Sequence, residues 1–218
     1  MHCTVILVAA GSSRRMSFDK LAADLNGLPV LARTLDVFLA CEEIQDIILV
    51  TPEERMALLD SSKFTKSVTR VDGGAERQFS VAAGIAALPV TTDFVAVHDA
   101  ARPLVSESDI RSVIAAAHEF GAASLARRVT ETLKRTDQFD YTQEPVPRER
   151  LWFIETPQIF RVDWLREAYA YVLENQLTIT DETSALEMIG KKTKLIASSA
   201  PNPKITTPAD LAALVDKV

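Results

Sequence analysis

Five short stretches concentrate the residue types that bind anions and metals. AAGSSRRM (9–16), with Lys20 shortly after it, directly follows an apolar run. Gly11 lets backbone approach a phosphate closely, and the N–H groups behind it can form an anion nest. Arg15 and Lys20 add positive charge. The stretch is neither G-x-G-x-x-G nor G-x-x-x-x-G-K-[ST], so it is not a dinucleotide fingerprint or a P-loop. A surface turn with solvated cations is the plain alternative. VHDAARP (97–103) also follows an apolar run. A carboxylate such as Asp99 beside a phosphate site makes sense as a ligand for Mg²⁺, which takes one or two carboxylates plus phosphate oxygens. Arg102 can clamp a phosphate with two N–H groups; an Asp99–Arg102 ion pair closing a turn is the alternative.

The third stretch, DGGAER (72–77) with Ser80 behind it, has glycines that admit a ligand closely or make an ordinary turn. TITDE (178–182) and NPKIT (202–206) read singly as a helix cap and surface charge. His98 is expected to orient Asp99 or fill space. Trp152 and Phe153 are expected to pack against the core, not to form a base-stacking platform.

These stretches need elements to bring them together. Residues 4–8 (TVILV), 47–51, 68–71, 93–97, 122–129 and 194–197 are short apolar runs, expected as buried strands. Residues 29–41, 53–59, 80–88, 106–120, 163–175 and 181–189 are expected as helices. Ser106 with Asp109 three residues on suggests a capping box, and Gly121 a helix stop. Thr207, Pro208 and Asp210 suit the N-cap, first and third positions of a last helix. Strand–helix alternation predicts an α/β fold, a mainly parallel Rossmann-like sheet flanked by helices. Residues 130–150 (TETLKRTDQFDYTQEPVPRER) break the rhythm and suggest a protruding hairpin or a loop. The chain reads as one domain, 1–218.

Composition narrows the function. The 218 residues are 47% hydrophobic and 25% charged, an ordinary globular balance. Lys plus Arg is 24 and Asp plus Glu is 30, a net charge of −6, and the pI is near 5.2. A duplex-binding domain usually needs a basic face, so nucleic acid is not expected as the main partner. No apolar run approaches the ~18 residues of a membrane span. The opening residues turn apolar at once without a cationic segment, as in a core strand rather than a signal peptide. Cys3 and Cys41 make no zinc spacing and no disulfide framework, which suits a reducing cytoplasm. His2, His98 and His118 form no metal-ligand motif.

Taken in order, AAGSSRRM (9–16), VDGGAER (71–77), VHDAARP (97–103), ETLKR (131–135), TPQIF (156–160), TITDETSALE (178–187) and PKITTPADL (203–211) resemble the 2-C-methyl-D-erythritol 4-phosphate cytidylyltransferase family of isoprenoid synthesis. The resemblance covers nearly the whole chain. It implies a three-layer nucleotidyltransferase domain whose arm, at about 130–150, exchanges across a homodimer. It implies a reaction of CTP with methylerythritol phosphate, giving the CDP-linked alcohol and pyrophosphate, with Mg²⁺ on Asp99. Arg15 and Lys20 match cations on the triphosphate, and Lys204 a cation near the α-phosphate. Ala10, Gly11, Gly74, Ser80 and Ala100 match the CTP site. Arg102, Thr132, Arg148, Thr156 and Thr180 match positions for the sugar-phosphate acceptor, some reached from the partner subunit.

The chain also departs from the family pattern. Asp19-Lys20-Leu21 stands where Pro-Lys-Gln is usual, the segment from Arg15 to Lys20 is short, and Ala75 replaces a common acid. Ribitol 5-phosphate and molybdopterin remain alternative acceptors, although Ala100-Ala101 favours methylerythritol. A non-catalytic nucleotide-binding module and a nicotinamide-dependent dehydrogenase are the readings from other classes.

Overall fold

The first apolar run forms β1 (Cys3–Val8) in the computed structural model, which describes residues 1–11, 16 and 18–215. Its side chains alternate between two layers. Val5 and Leu7 enter one apolar cluster and Ile6 the other, as a strand covered on both faces requires. A tight hairpin follows, β2 (Asp24–Leu25) and β3 (Leu28–Pro29), turning through Asn26 and Gly27 at φ of 52° and 83°. Asn-Gly is a strong hairpin signal that the periodicity reading passes over.

Strand–helix alternation then builds the frame. α1 (Val30–Ala40) buries Leu31, Leu35, Phe38 and Leu39, the residues expected from their spacing. β4 (Asp46–Val50) and β5 (Ser67–Val71) are joined by a 3₁₀ helix, Glu53–Leu58. α2 (Arg77–Ala86) starts three residues earlier than expected and leads to β6 (Phe94–Asp99). Gly84 lets α2 lie directly on β1, because a Cβ there would sit 2.6 Å from Ile6 Cγ2. α3 (Glu107–Phe120) is capped by Ser106, whose hydroxyl accepts from the Asp109 N–H, and stops at Gly121, φ 84°. The expected capping box is only half made, since the Asp109 carboxylate accepts from the Ser199 N–H at 2.9 Å instead. β7 (Ala122–Arg128), α4 (Val162–Glu174), α5 (Glu182–Met188), β11 (Lys194–Ala197) and α6 (Pro208–Val215) fall within a few residues of expectation.

Residues 130–150 form a hairpin, β8 (Leu133–Thr136) and β9 (Thr142–Val146), a two-stranded sheet separate from the main one. The chain returns as β10 (Trp152–Arg161), a strand missing from the sequence reading. Glu155, Pro157 and Gln158 interrupt its apolar alternation, and the pairing with β7 shifts register between Ile154 and Gln158. A proline inside a central strand argues against that assignment unless the ladder is broken there, as it is here. Trp152 and Phe153 do not enter the core. They lie under Arg128 and Arg127, with guanidinium carbons 4.3 and 3.9 Å from the ring centroids.

The main sheet has the order β11-β7-β10-β6-β1-β4-β5, and β10 runs against both its neighbours. β6, β1, β4 and β5 are parallel and in step. Val8 is level with Asp99 and Val50, and Val50 with Val71. Three of the motifs therefore leave the sheet at one edge, where open α/β sheets bind ligands. Among the described residues, no helix is long and apolar enough to cross a membrane.

Candidate active site

Beyond the ends of these strands lies a cavity of about 620 Å³. Ala10 and Gly11 line it from β1, Gly74 and Ser80 from the glycine turn and α2, Asp99 from β6, and Lys20, Lys204 and Thr206 from the facing loops. The glycines of the turn are needed first for the protein's own packing. A Cβ on Gly73 would lie 2.2 Å from Ala10 Cβ, and one on Gly74 would lie 2.3 Å from Phe79 Cβ. Ser80 Oγ accepts from the Gly74 N–H at 3.1 Å and fixes the turn.

Asp99 is the electrostatic centre. Its Oδ1 accepts from Arg77 Nε at 3.0 Å, and its Oδ2 faces Lys204 Nζ at 2.7 Å. Burial alone would raise its pKa, but Arg77 and Lys204 hold it far below the usual carboxylate range. The expected alternative of an Asp99–Arg102 ion pair does not form; only the Arg102 N–H turns back to the Asp99 carbonyl, at 3.0 Å.

Arg77 is itself held from behind. Its Nη1 and Nη2 donate to the two oxygens of Glu182 at 2.7 and 3.0 Å. Glu182 is fully buried at the start of α5, and the Tyr169 hydroxyl donates to it at 2.9 Å. Burial opposes the charge on Arg77, yet Glu182 and Asp99 raise its pKa and keep it cationic. Neither Arg77 nor Glu182 carried an assigned role in the sequence reading. Nothing local in the sequence links two residues 105 positions apart.

The strand end is fixed by a neutral histidine. Burial pushes His98 down to about 3 despite the pull of Asp99. Its Nε2 faces the Arg102 carbonyl at 3.2 Å, so that nitrogen carries the proton. Its Nδ1 then accepts from the Thr156 hydroxyl at 3.1 Å, and Thr156 Oγ1 accepts from the Asp99 N–H at 3.1 Å. His98 thus holds Asp99 through Thr156, and its ring also packs on Phe38.

A second cavity of about 790 Å³ adjoins the first and shares Lys204. Arg102, Arg127, Glu155 and Asn202 line it. Arg102 Nη1 donates to the Asn202 carbonyl at 2.6 Å, while its buried Nε has no partner among the described residues.

The remaining expected residues sit elsewhere. Ala100 is completely buried and does not line the first cavity; its carbonyl accepts from Thr34 Oγ1 at 2.7 Å, and Ala101 faces the space instead. Thr156 is buried and its hydroxyl is used by His98 and Asp99. Thr180 is exposed at the mouth of α5, 3.0 Å from Ser184 Oγ. Thr132 and Arg148 are exposed at the base of the hairpin, where Arg148 donates to the Thr130 carbonyl at 2.5 Å. Arg15 lies outside the described residues.

Chemically, the first cavity offers fixed cations around the buried, ionised Asp99 carboxylate, an arrangement suited to a polyphosphate. Asp99 is its one buried carboxylate among the described residues, so oxygens of an incoming phosphate would have to complete the shell of a hard cation. The donor chemistry fits Mg²⁺ on that condition.

The model of one protein family, described as IspD: 2-C-methyl-D-erythritol 4-phosphate cytidylyltransferase, matches residues 3–215. Relatives of that name include the protein of Pelotomaculum thermopropionicum, 37% identical over 213 residues and covering 94% of this chain and 90% of the relative. The one from Caldanaerobacter subterraneus is 37% identical over 218 residues, covering 97% and 96%. Among solved structures, 4-diphosphocytidyl-2C-methyl-D-erythritol synthase from Anaerococcus prevotii superposes with a TM-score of 0.88 at 27% identity, covering 99% of this chain and 97% of the other. The Francisella tularensis cytidylyltransferase gives 0.86 at 29% identity, covering all of both chains.

Proposed function

The chain belongs to the 2-C-methyl-D-erythritol 4-phosphate cytidylyltransferase family, and from that premise we propose how its two cavities divide the work. It is a nucleotidyltransferase joining CTP and 2-C-methyl-D-erythritol 4-phosphate in isoprenoid synthesis. The acceptor's phosphate oxygen attacks the α-phosphorus of CTP; that bond forms as the bond to pyrophosphate breaks. A phosphate monoester is already anionic near neutral pH, so no side chain need take a proton.

The barrier is repulsion between two anions that must be held in line. The 620 Å³ cavity takes CTP, with Gly74 and Ser80 against the nucleoside and Gly11 and Lys20 on the triphosphate. The 790 Å³ cavity, with Arg102, takes the acceptor's phosphate. The observation that carries this reading is that Lys204 borders both cavities. A cation there neutralises charge that builds between the two phosphates in the transition state. Mg²⁺ held by Asp99 would, when bound, neutralise triphosphate charge and polarise the α-phosphoryl group. Arg77 keeps Asp99 ionised and aimed.

The hairpin of β8 and β9 supports a homodimer in which Thr132 and Arg148 reach the acceptor in the partner's site. Two buried, unpaired cysteines favour a reducing cytoplasm. The comparisons lend no support to ribitol phosphate, molybdopterin or a non-catalytic module. The test is phosphorus NMR of the protein with CTP, Mg²⁺ and each acceptor in turn. A CDP-linked product from methylerythritol phosphate is expected; product from another acceptor alone would overturn the assignment.

A further inference from the structure

Arg55 lies on the 3₁₀ helix after β4 and lines neither cavity. Its side chain is only 11% exposed, and all three guanidinium nitrogens are occupied. Nη1 donates to the Ala9 carbonyl, Nη2 to the Gly11 carbonyl at 2.9 Å and Nε to Asp19 Oδ2 at 2.7 Å. Ala9 and Gly11 carry the chain out of β1, and Asp19 immediately precedes Lys20. One planar fork therefore ties both ends of the 9–19 stretch together. Asp19 does a second job. Its Oδ1 accepts from the Leu21 N–H at 3.1 Å, which sets the turn that carries Lys20. From there Lys20 Nζ reaches the Ile205 carbonyl at 2.8 Å, and the Ile205 N–H donates to the Ala101 carbonyl at 2.9 Å.

We propose that Arg55 and Asp19 form a clamp that positions Lys20 for the triphosphate. The inference rests on assigning the first cavity to CTP. The pair fixes the backbone before the lysine from outside the segment. A proline ring does so by locking φ; here an ion pair to a neighbouring element does it. Because the charge of Arg55 is matched by Asp19, Arg55 acts through Lys20 and is a positioning residue.

The experiment measures CTP affinity by calorimetry without acceptor, and KM and kcat for both substrates. Arg55→Met and Asp19→Asn are each made alone and on a Lys20→Ala background. Each single variant is expected to weaken CTP binding at least ~10-fold, about the worth of one charge-assisted contact to the triphosphate. The acceptor KM should stay within about twofold, and on the Lys20→Ala background the effect on CTP binding should shrink below about twofold, because independent sites add and coupled ones do not. Arg55→Lys should not rescue, since a point charge cannot hold three oxygens in one plane. Full persistence of the effect without Lys20, or rescue by Arg55→Lys, overturns the clamp. Should Arg55→Met fail to fold, Asp19→Asn decides alone, at a side chain 34% exposed. Wild-type protein that binds CTP but yields no CDP-linked product refutes the catalytic reading and leaves the clamp judged by affinity.

Discussion

Lys204 faces three demands at once: it pairs with Asp99, borders the first cavity and borders the second. Lys20 borders the first alone. Removing one preorganised cation of this kind costs on the order of 10²–10³ in turnover. Lys20→Ala and Lys204→Ala are each expected to lose that much in a pyrophosphate-release assay while keeping the wild-type circular dichroism spectrum. Unchanged turnover in both would remove them from the chemistry. Glu182 belongs to the frame instead. It is fully buried and holds Arg77 through both oxygens. Breaking a buried ion pair from one side leaves an uncompensated charge, at a cost of about 3–5 kcal/mol. Glu182→Gln should show a loss of that order in urea unfolding. A change below about 1 kcal/mol would mean that Asp99 alone suffices to hold Arg77.

At the scale of elements, the start of α6 links stability to the site. Asp210 Oδ2 accepts from the Thr206 N–H, the Thr206 hydroxyl and the Thr207 N–H, at 2.8, 2.6 and 2.8 Å. Thr206 lines the first cavity two residues after Lys204. The bonds from Thr206 and Thr207, against a slight opposing effect of burial, pull Asp210 from 3.8 to about 2. A carboxylate lowered on folding stabilises the native state above its unfolded pKa and loses that contribution as pH falls through the folded value. Thermal stability should therefore decline between about pH 4 and pH 2 partly through this group, and Asp210→Asn should flatten that part of the curve. An Asp210 NMR titration with a midpoint near 4 would contradict the assignment.

For the whole molecule, the hairpin of β8 and β9 is the feature the main sheet does not explain. Phe139 and Tyr141 near its tip are 70% and 73% exposed. An isolated two-stranded hairpin is marginal in water, which is in keeping with the proposed exchange of the arm between two copies. Replacing residues 133–146 by a short Gly-Ser turn should leave the main sheet folded, with a melting temperature within a few degrees. Light scattering should then report a monomer, and turnover should fall at least ~100-fold with CTP binding retained. Wild-type turnover by this variant would exclude any need for the arm in the reaction.

The sequence by itself determined whatever rests on local pattern. The continuous apolar runs gave β1, β4 and β6, helical spacing gave α1, and Ser106 with Gly121 marked the ends of α3. The motifs at the strand ends then placed Gly11, Gly74 and Asp99 at one edge, because parallel strands in step must end together. β10 was hidden because Glu155, Thr156 and Gln158 are polar inside a central strand. Each finds a partner far away in the chain: Asn202 beside Glu155, His98 on Thr156, and Asp181 on Gln158 at 2.9 Å. Tertiary structure alone decided the Arg77–Glu182 bolt, the burial of Ala100 and the Arg55–Asp19 clamp. The reason is physical: apolar periodicity is written along one segment, whereas a buried charge becomes tolerable only through a counter-charge that folding brings to it from elsewhere.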